Sequence, residues 1–263
     1  LEPASAGRSA ACLRYFAGSS LIDINATLRV TPADDADELP RTAAAVAAMG
    51  GGRREVYVLF GLNRTSSARL GDIWRLRSYV DDPSQWEAQR IYRIQDAILE
   101  DPTQVVPTER YAHSATALGD ELFVFGGVTR SVTQSELPNR ELFALHLPTM
   151  RWREIAVPTV AGRAYHRAVG FTFSEPAPVG LASAQGPRDR SLLFVGFGTA
   201  WTATSPQLEV IGLDTGTSAA IPLPTRPDGT PEILATNPDN LCVAGTEELL
   251  IVVEVSVFRH EHD

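Results

Sequence analysis

The chain has 263 residues, 44% of them hydrophobic, and its 23 basic and 32 acidic side chains give a formal net charge of −9. This balance argues against nucleic acid and against an anionic membrane surface as partners, because both attract clustered positive charge. No apolar run approaches the roughly 18 residues that a transmembrane helix needs. The length suits one large β domain, and two cysteines do not make a disulfide framework.

The first 30 residues contain two candidate strands, residues 11–16 and 21–30, in which apolar and β-branched side chains are frequent. Residues 31–40 (TPADDADELP) are acidic and flanked by prolines. We interpret them as an exposed linker.

Residues 41–94 form the first of four related units, unit A. Its segment 43–49 is rich in alanine, which favours helices, but the triple glycine after it and the alternating Val56, Val58 and Phe60 favour a β-hairpin. Trp74 and Trp86 mark its third and fourth strands. Beyond unit A, the sequence IQDAILEDP predicts one short helix that ends at Pro102.

Unit B, residues 110–157, has the clearest pattern: four short β-type segments bounded by Gly, Pro and Asp clusters, which is typical of a meander of strands. An arginine and a histidine open the unit, a double glycine ends the second strand, and a tryptophan begins the fourth strand after a Pro-Thr turn. The defining positions are Arg110, His113, Gly126, Gly127, Phe143 and Trp152.

Unit C, residues 163–223, repeats unit B with an offset of 53 residues, which places Arg163 and His166 at the offsets of Arg110 and His113. Gly196 and Gly198 stand in for the double glycine, and residues 174–190 form an insertion that we expect to be a loop. Unit A has Ala44 in place of the histidine. Residues 233–258 contain a strand–turn–strand pattern, which we interpret as a degenerate unit D.

This ordered set of residues resembles the kelch repeat, and units A to D would then be blades of a β-propeller. The resemblance implies an all-β fold with four-stranded antiparallel blades, closed by pairing between N-terminal and C-terminal strands. Such closure could bring Cys12 near Cys242, although free thiols are the favoured state. The recurring residues would have structural roles: Arg110, His113, Arg163, His166, Gly126, Gly127, Trp74, Trp86 and Trp152.

In such a blade, the loops between the second and third strands share one face with the connections between blades. Arginine and tryptophan are enriched among residues that dominate binding energy at protein interfaces. We therefore expect this face to bind another protein. We expect no catalysis and no cofactor, and we expect the protein to be cytoplasmic. The expected binding residues are Asn63, Arg64, Arg69, Arg130, Arg140 and Trp201.

The kelch resemblance also leaves an enzymatic alternative open. A carbohydrate-active protein, such as a sialic-acid mutarotase or a sugar-binding module, needs only acid and base residues or polar groups around the propeller channel. A copper oxidase is rejected, because no histidine pair shares a loop and both cysteines fall in predicted strands. His260 and His262 in the terminal RHEHD are a weak basis for a metal site.

Overall fold

Three sheets, antiparallel except for one parallel strand at the edge of the first, are stacked side by side and account for most of the described chain. The computed structural model describes residues 14–17, 20–23, 28–31, 41–42, 44–48, 55–63, 66–78, 86–130, 136–172, 190–200, 208–221, 227, 241–245 and 250–254. The expectation of an all-β fold with four-stranded antiparallel sheets is confirmed. None of the helical segments in these residues is long and apolar enough to cross a membrane.

Sheet A contains the strands of predicted unit A together with one N-terminal strand. The strands up to residue 93 are β1 Arg14–Ala17, β2 Ser20–Asp23, β3 Leu28–Thr31, β4 Arg41–Thr42, β5 Ala45–Ala48, β6 Glu55–Asn63, β7 Arg69–Ser78 and β8 Trp86–Arg93. The order is β3-β8-β7-β6-β4, with β5 also paired to β6. The alanine-rich segment is thus a strand, because its pairing to β6 overrides the helix propensity of alanine.

A short helix, α1 Ile94–Glu100, follows β8 directly and confirms the prediction from IQDAILEDP. Its Ile94 and Ala97 are buried in the core between sheets A and B. The helix ends where Asp101 adopts an extended conformation, one residue before Pro102, which disfavours a helical conformation at the residue that precedes it.

Sheet B has the order β10-β11-β14-β15, and two further strands of this region form a small sheet with β9. The strands are β9 Arg110–Tyr111, β10 Ser114–Leu118, β11 Glu121–Phe125, β12 Val128–Arg130, β13 Glu136–Pro138, β14 Leu142–His146 and β15 Arg151–Ile155. Between the double glycine and β14, strands β12 and β13 pair as a short β-hairpin.

Sheet C repeats this arrangement with the order β17-β18-β20-β21, and a separate hairpin follows it. The strands are β16 Arg163–Ala164, β17 Arg167–Thr172, β18 Ser191–Gly196, β19 Thr199–Ala200, β20 Leu208–Gly212, β21 Ser218–Ala220, β22 Leu241–Gly245 and β23 Leu250–Glu254. The first strands of the successive units contact one another in sequence, β5 with β10, β10 with β17, and β17 with β22.

The stacking explains why the second strand of each unit is an almost continuous apolar run, because both of its faces are buried. In β11, Leu122 and Val124 pack toward sheet A, whereas Phe123 and Phe125 pack toward sheet C. Each central strand thus supplies two cores.

Six large aromatic side chains of sheets A and B are at most 6% exposed. Phe143 and Trp152 lie between sheets A and B, whereas Trp74 and Trp86 belong to a cluster of sheet A residues separate from that core. The six side chains are Phe123, Phe125, Phe143, Trp152, Trp74 and Trp86.

Among the described residues, the N-terminal and C-terminal strands pair with other strands than each other, so the expected closure stays a prediction. β3 runs parallel to β8 at the edge of sheet A, β1 pairs with β2, and β22 pairs with β23. Cys12 lies outside the described residues, as do His260 and His262, so the predictions about them are untested.

Candidate interaction face

Short strands of two or three residues lie at one end of every sheet. β4 pairs with the end of β6, β9 with β12, and β16 with β19. In each case, a short strand that begins with the opening arginine pairs with residues that lie at the end of the second long strand or just beyond it. We call this end of the sheets, which includes β4, β9, β12, β13, β16 and β19, the loop face.

At the end of the second strand of each sheet, two consecutive residues with positive φ turn the chain toward the loop face. In sheet B the pair is Gly126 and Gly127, with φ of 65° and 90°, and in sheet A it is Phe60 and Gly61, with 51° and 104°. A Cβ atom on Gly127 would lie 2.7 Å from the backbone oxygen of Tyr111. Only glycine fits there, both by conformation and by space.

The corresponding pair in sheet C is Phe197 and Gly198, with φ of 64° and 73°. Gly198 therefore stands where the sequence suggested, but Gly196 does not take part in the turn. It is the last residue of β18, opposite Arg167, and a bulky Phe197 adopts the left-handed conformation in its place.

The guanidinium group of Arg110 is completely buried and ties the turn of sheet B to its third strand. Its Nη1 donates to the Gly126 carbonyl oxygen at 3.0 Å, and its Nη2 donates to Glu141 Oε2 at 2.7 Å. Its Cζ lies 5.3 Å from the centroid of the Phe143 ring. Burial lowers the pKa of Arg110 and Glu141 opposes that effect, so the side chain remains a cation.

Arg163 repeats this arrangement in sheet C with a different anion. Its Nη1 donates to the Phe197 carbonyl oxygen at 3.2 Å, and its Nη2 donates to Glu209 Oε2 at 2.6 Å. Glu209 occupies the place in β20 that Phe143 occupies in β14. A buried carboxylate therefore replaces an aromatic ring as the group beside the repeated arginine.

His166 links sheet C to sheet B. Its Nε2 lies 2.8 Å from the Ser114 hydroxyl oxygen, and its ring meets the Phe125 ring edge-on at 5.3 Å. Burial, reinforced by the charges of Arg163 and Arg167, lowers the pKa of His166 to about 3. The imidazole is therefore neutral at physiological pH.

His113 has the same position one sheet earlier, with its ring 5.4 Å from that of Phe60 in sheet A. Burial lowers its pKa well below 6.5, and the charge of Arg110 adds to the effect. Neither ring nitrogen has a hydrogen-bond partner among the described residues. Neutral histidines buried in the stack cannot exchange protons with a molecule bound at the loop face.

A row of side chains crosses the loop face from sheet A to sheet C. The Cζ atom of Arg69 lies 5.6 Å from the centroid of the Tyr111 ring, and the Tyr111 and Tyr165 rings meet edge-on at 6.4 Å. Tyr111 is buried, whereas Tyr165 is 42% exposed. Tyr165 also has a φ of 56°, a conformation that its equivalent in sheet B, Ala112, shares with a φ of 55°, so the backbone there follows the repeat.

The other predicted binding residues are less closely associated. The Asn63 side-chain oxygen accepts a hydrogen bond from the Ser66 backbone N–H at 3.0 Å and so supports its own loop. Arg140 is exposed, and its Nη1 donates to the Pro158 carbonyl oxygen at 2.9 Å. Arg64 and Trp201 lie outside the described residues, and Arg130 is described only by its place in β12.

Sequence reasoning missed four residues that matter here. Both tyrosines stand between the arginine and the histidine of RYAH and RAYH, and that signal could have identified them. Glu141 and Glu209 are acidic residues that lie beside or within a buried strand. A carboxylate in that place needs a cationic partner. The four residues are Tyr111, Tyr165, Glu141 and Glu209.

The loop face therefore offers one exposed tyrosine, Tyr165, whose ring contacts the buried Tyr111 beside Arg69. The scaffold below pairs its buried arginines, Arg110 and Arg163, with carboxylates. This combination is suited to binding rather than to proton transfer. In the described part of the chain, no three His, Cys, Asp or Glu side chains lie close enough together to hold a metal ion.

Comparison with known proteins gives one weak relationship. No family model matches the chain. Residues of this chain are 30% identical over 119 residues to Host cell factor of Drosophila melanogaster. The match takes in 40% of this chain and 7% of the fly protein, so the chain corresponds to a small part of that relative.

Proposed function

We propose that this chain is a kelch-type β-propeller domain that binds another protein through its loop face and has no catalytic activity. The three stacked sheets would be consecutive blades, and the β22–β23 hairpin would belong to a fourth blade that N-terminal strands complete. The weak similarity to Host cell factor is consistent with a binding role.

The observation that carries the proposal is Tyr165. An aromatic side chain that is 42% exposed, with a positive φ and an edge-on contact to Tyr111, is held in place before any partner arrives. A side chain fixed in advance loses little conformational entropy on binding, which favours affinity. Arg69, which lies over the neighbouring Tyr111 ring, would add directed hydrogen bonds.

The experiment is an affinity capture with mass spectrometry, followed by a dissociation constant for each captured protein in purified form. Three proteins are compared: wild type, the double variant Tyr165→Ala/Arg140→Glu, and the control Arg77→Gln. Arg77 is exposed and pairs with Glu55 at the opposite end of sheet A. We expect the double variant to bind at least about tenfold more weakly, and the control to bind as wild type does.

A partner that binds all three proteins equally would contradict the assignment of the face. Binding of no protein, with a saturable thermal shift on adding free sugars or sialic acids, would instead support the carbohydrate-binding alternative. That outcome is open because an exposed tyrosine beside arginines can also contact a sugar ring.

A further inference from the structure

An extra strand covers the outer edge of sheet A. In sheets B and C, the outermost strand among the described residues is the fourth strand of the unit, β15 or β21, whereas in sheet A a further strand, β3, pairs with β8. β3 runs parallel to β8, with Leu28–Thr31 opposite Trp86–Gln89. An uncovered edge strand exposes unpaired backbone N–H and C=O groups, which can pair with another chain. Sheet A alone among the three has this edge covered in the described residues.

The three outer strands differ in how readily an uncovered edge would pair with another strand. β8 has eight residues, β15 has five and β21 has three. In β15, the side chains of Arg151, Arg153 and Glu154 are exposed. Short length and exposed charge both disfavour pairing at an edge. No side chain of β8 is fully exposed, so the covering strand lies on the outer strand that is longest and least protected by its own side chains.

The pairing that covers the β8 edge is short, and a short connection holds it in place. β3 has four residues and pairs in parallel, which is slightly less stable per residue than antiparallel pairing. Residues 32–40 join β3 to β4 at the other side of the same sheet. Four strand spacings separate these strands, about 19 Å. A connection of this length spans at most about 30 Å, so β3 stays near its own edge.

We propose that β3 is an edge cap, which keeps the β8 edge of sheet A from pairing with β8 of a second copy of this chain. Without the cap, two copies would join antiparallel through the backbone groups of β8 that β3 now covers. Such a pairing is symmetric and uses the edge of both copies, so its product is a closed dimer.

The charges along β8 favour a second copy as the occupant of the uncovered edge. Glu87 lies near the start of β8, whereas Arg90 and Arg93 lie toward its end. An antiparallel pair of β8 strands therefore places the acidic start of each strand beside the basic end of the other. One register sets Glu87 of each copy opposite Arg90 of the other, and opposite charges across a ladder stabilise the pair. Salt screens the overall charge of −9 beyond about 8 Å but leaves these close pairs.

The test measures the molar mass of the full chain by size-exclusion chromatography with light scattering over a range of concentrations. Arg29→Pro/Val30→Pro should uncover the edge, because proline has no N–H group and one of any two consecutive strand residues directs its N–H group toward the neighbouring strand. We expect wild type to be a monomer at every concentration and the double-proline variant to form a dimer as its concentration rises.

Asp34→Pro/Asp35→Pro is the matched control, since it places two prolines in the connection between β3 and β4. It should remain a monomer. Adding Glu87→Gln to the double-proline variant should weaken the dimer about fivefold, because two Glu–Arg pairs are lost. Hydrogen exchange locates the contact. The backbone amides of residues 86–89 should be protected in wild type at every concentration, and in the double-proline variant only where it dimerises.

Four outcomes would overturn the proposal: a dimeric wild type, a double-proline variant that stays monomeric, aggregates larger than a dimer, or a double-proline variant that unfolds. The last would show that sheet A needs β3 for its own stability, so that β3 is more than a cap. The loop-face variant Tyr165→Ala/Arg140→Glu should remain a monomer, so the edge cap and the proposed binding face can fail independently.

Discussion

The Nε2 atom of His166 lies 2.8 Å from the hydroxyl oxygen of Ser114, so the first residue of β10 gives one ring nitrogen of a buried histidine in the next sheet a hydrogen-bond partner. The sheet that precedes His113 has Ala45 at the equivalent position, and both ring nitrogens of His113 are without a hydrogen-bond partner among the described residues. One missing hydroxyl group accounts for the difference between the two histidines.

Ser114→Ala should lower the free energy of unfolding by about 1–2 kcal/mol, because it leaves the buried His166 Nε2 without its partner. Ala45→Ser should raise the free energy of unfolding by up to about 1 kcal/mol, by supplying His113 with the missing hydroxyl. Urea unfolding measures both. A destabilised Ala45→Ser would show that sheets A and B do not repeat the geometry of sheets B and C.

Glu209→Gln should lower the free energy of unfolding by about 3–5 kcal/mol, because it leaves the buried Arg163 cation without its anion. Glu141→Gln is the matched comparison, since the Glu141 side chain is 41% exposed and water can reach that end of its pair with the buried Arg110. Its cost should be smaller than that of Glu209→Gln, because Arg110 keeps acceptors in Thr108, Gly126 and Asn139. Chemical denaturation of the two variants checks the order.

Adding Arg163→Met to Glu209→Gln should recover part of the lost stability, because no unpaired cation then remains buried. A double variant that is less stable than Glu209→Gln alone would show that the Arg163 hydrogen bond to the Phe197 carbonyl oxygen outweighs the cost of the unpaired buried cation.

Trp152→Ala should lower the free energy of unfolding by about 3–5 kcal/mol. The indole ring fills the core between sheets A and B and contacts the rings of Phe60, Tyr92 and Phe143. Differential scanning calorimetry gives the change in melting temperature. Leu99→Ala is the control on an exposed surface, and an unchanged melting temperature in Trp152→Ala would contradict this assignment of the core.

Stability should fall as the pH drops below about 6.5. Both histidines have lowered pKa values in the folded chain, about 3 for His166, against 6.5 in the unfolded chain. Their contribution is complete above pH 6.5 and is lost progressively below it, because the unfolded chain then binds protons that the folded chain does not. Each histidine contributes a slope of at most about 1.4 kcal/mol per pH unit.

Urea unfolding of wild type and His166→Asn at about pH 7.5 and about pH 5.5 tests this dependence. The variant should lose less stability between the two pH values than wild type does. An equal loss in both proteins would assign the acid sensitivity to other groups.

The fold class could be predicted because local chemistry determined each sheet. Several features of sheet B could be predicted from neighbouring residues in the sequence. They are the apolar run in β11, the glycines after it and Trp152 in β15. Helix α1 could also be predicted, because alanine, leucine and glutamate favour helices and Pro102 ends the segment.

The features that sequence could not give depend on contacts between units. Nothing near Glu209 identifies Arg163 as its partner, and nothing near Phe197 indicates a left-handed conformation. The sequence suggests that Tyr165, next to His166, is an ordinary core residue. Only the packing of the neighbouring sheets leaves its side chain exposed. Such contacts join residues that lie far apart in the chain, and a single sequence does not record them.

The backbone N–H of Gly127 donates to the Arg163 carbonyl oxygen at 2.7 Å, so the turn that ends a strand of one sheet is completed by the opening residue of the next. This decides where the chain can be cut for recombinant expression. A fragment that ends after β15 would leave the Gly127 N–H group without its acceptor. It would also expose the apolar side chains of sheet B that pack toward sheet C. A fragment that contains all of sheet B should therefore extend at least through Arg163, which keeps the acceptor of the Gly127 N–H group.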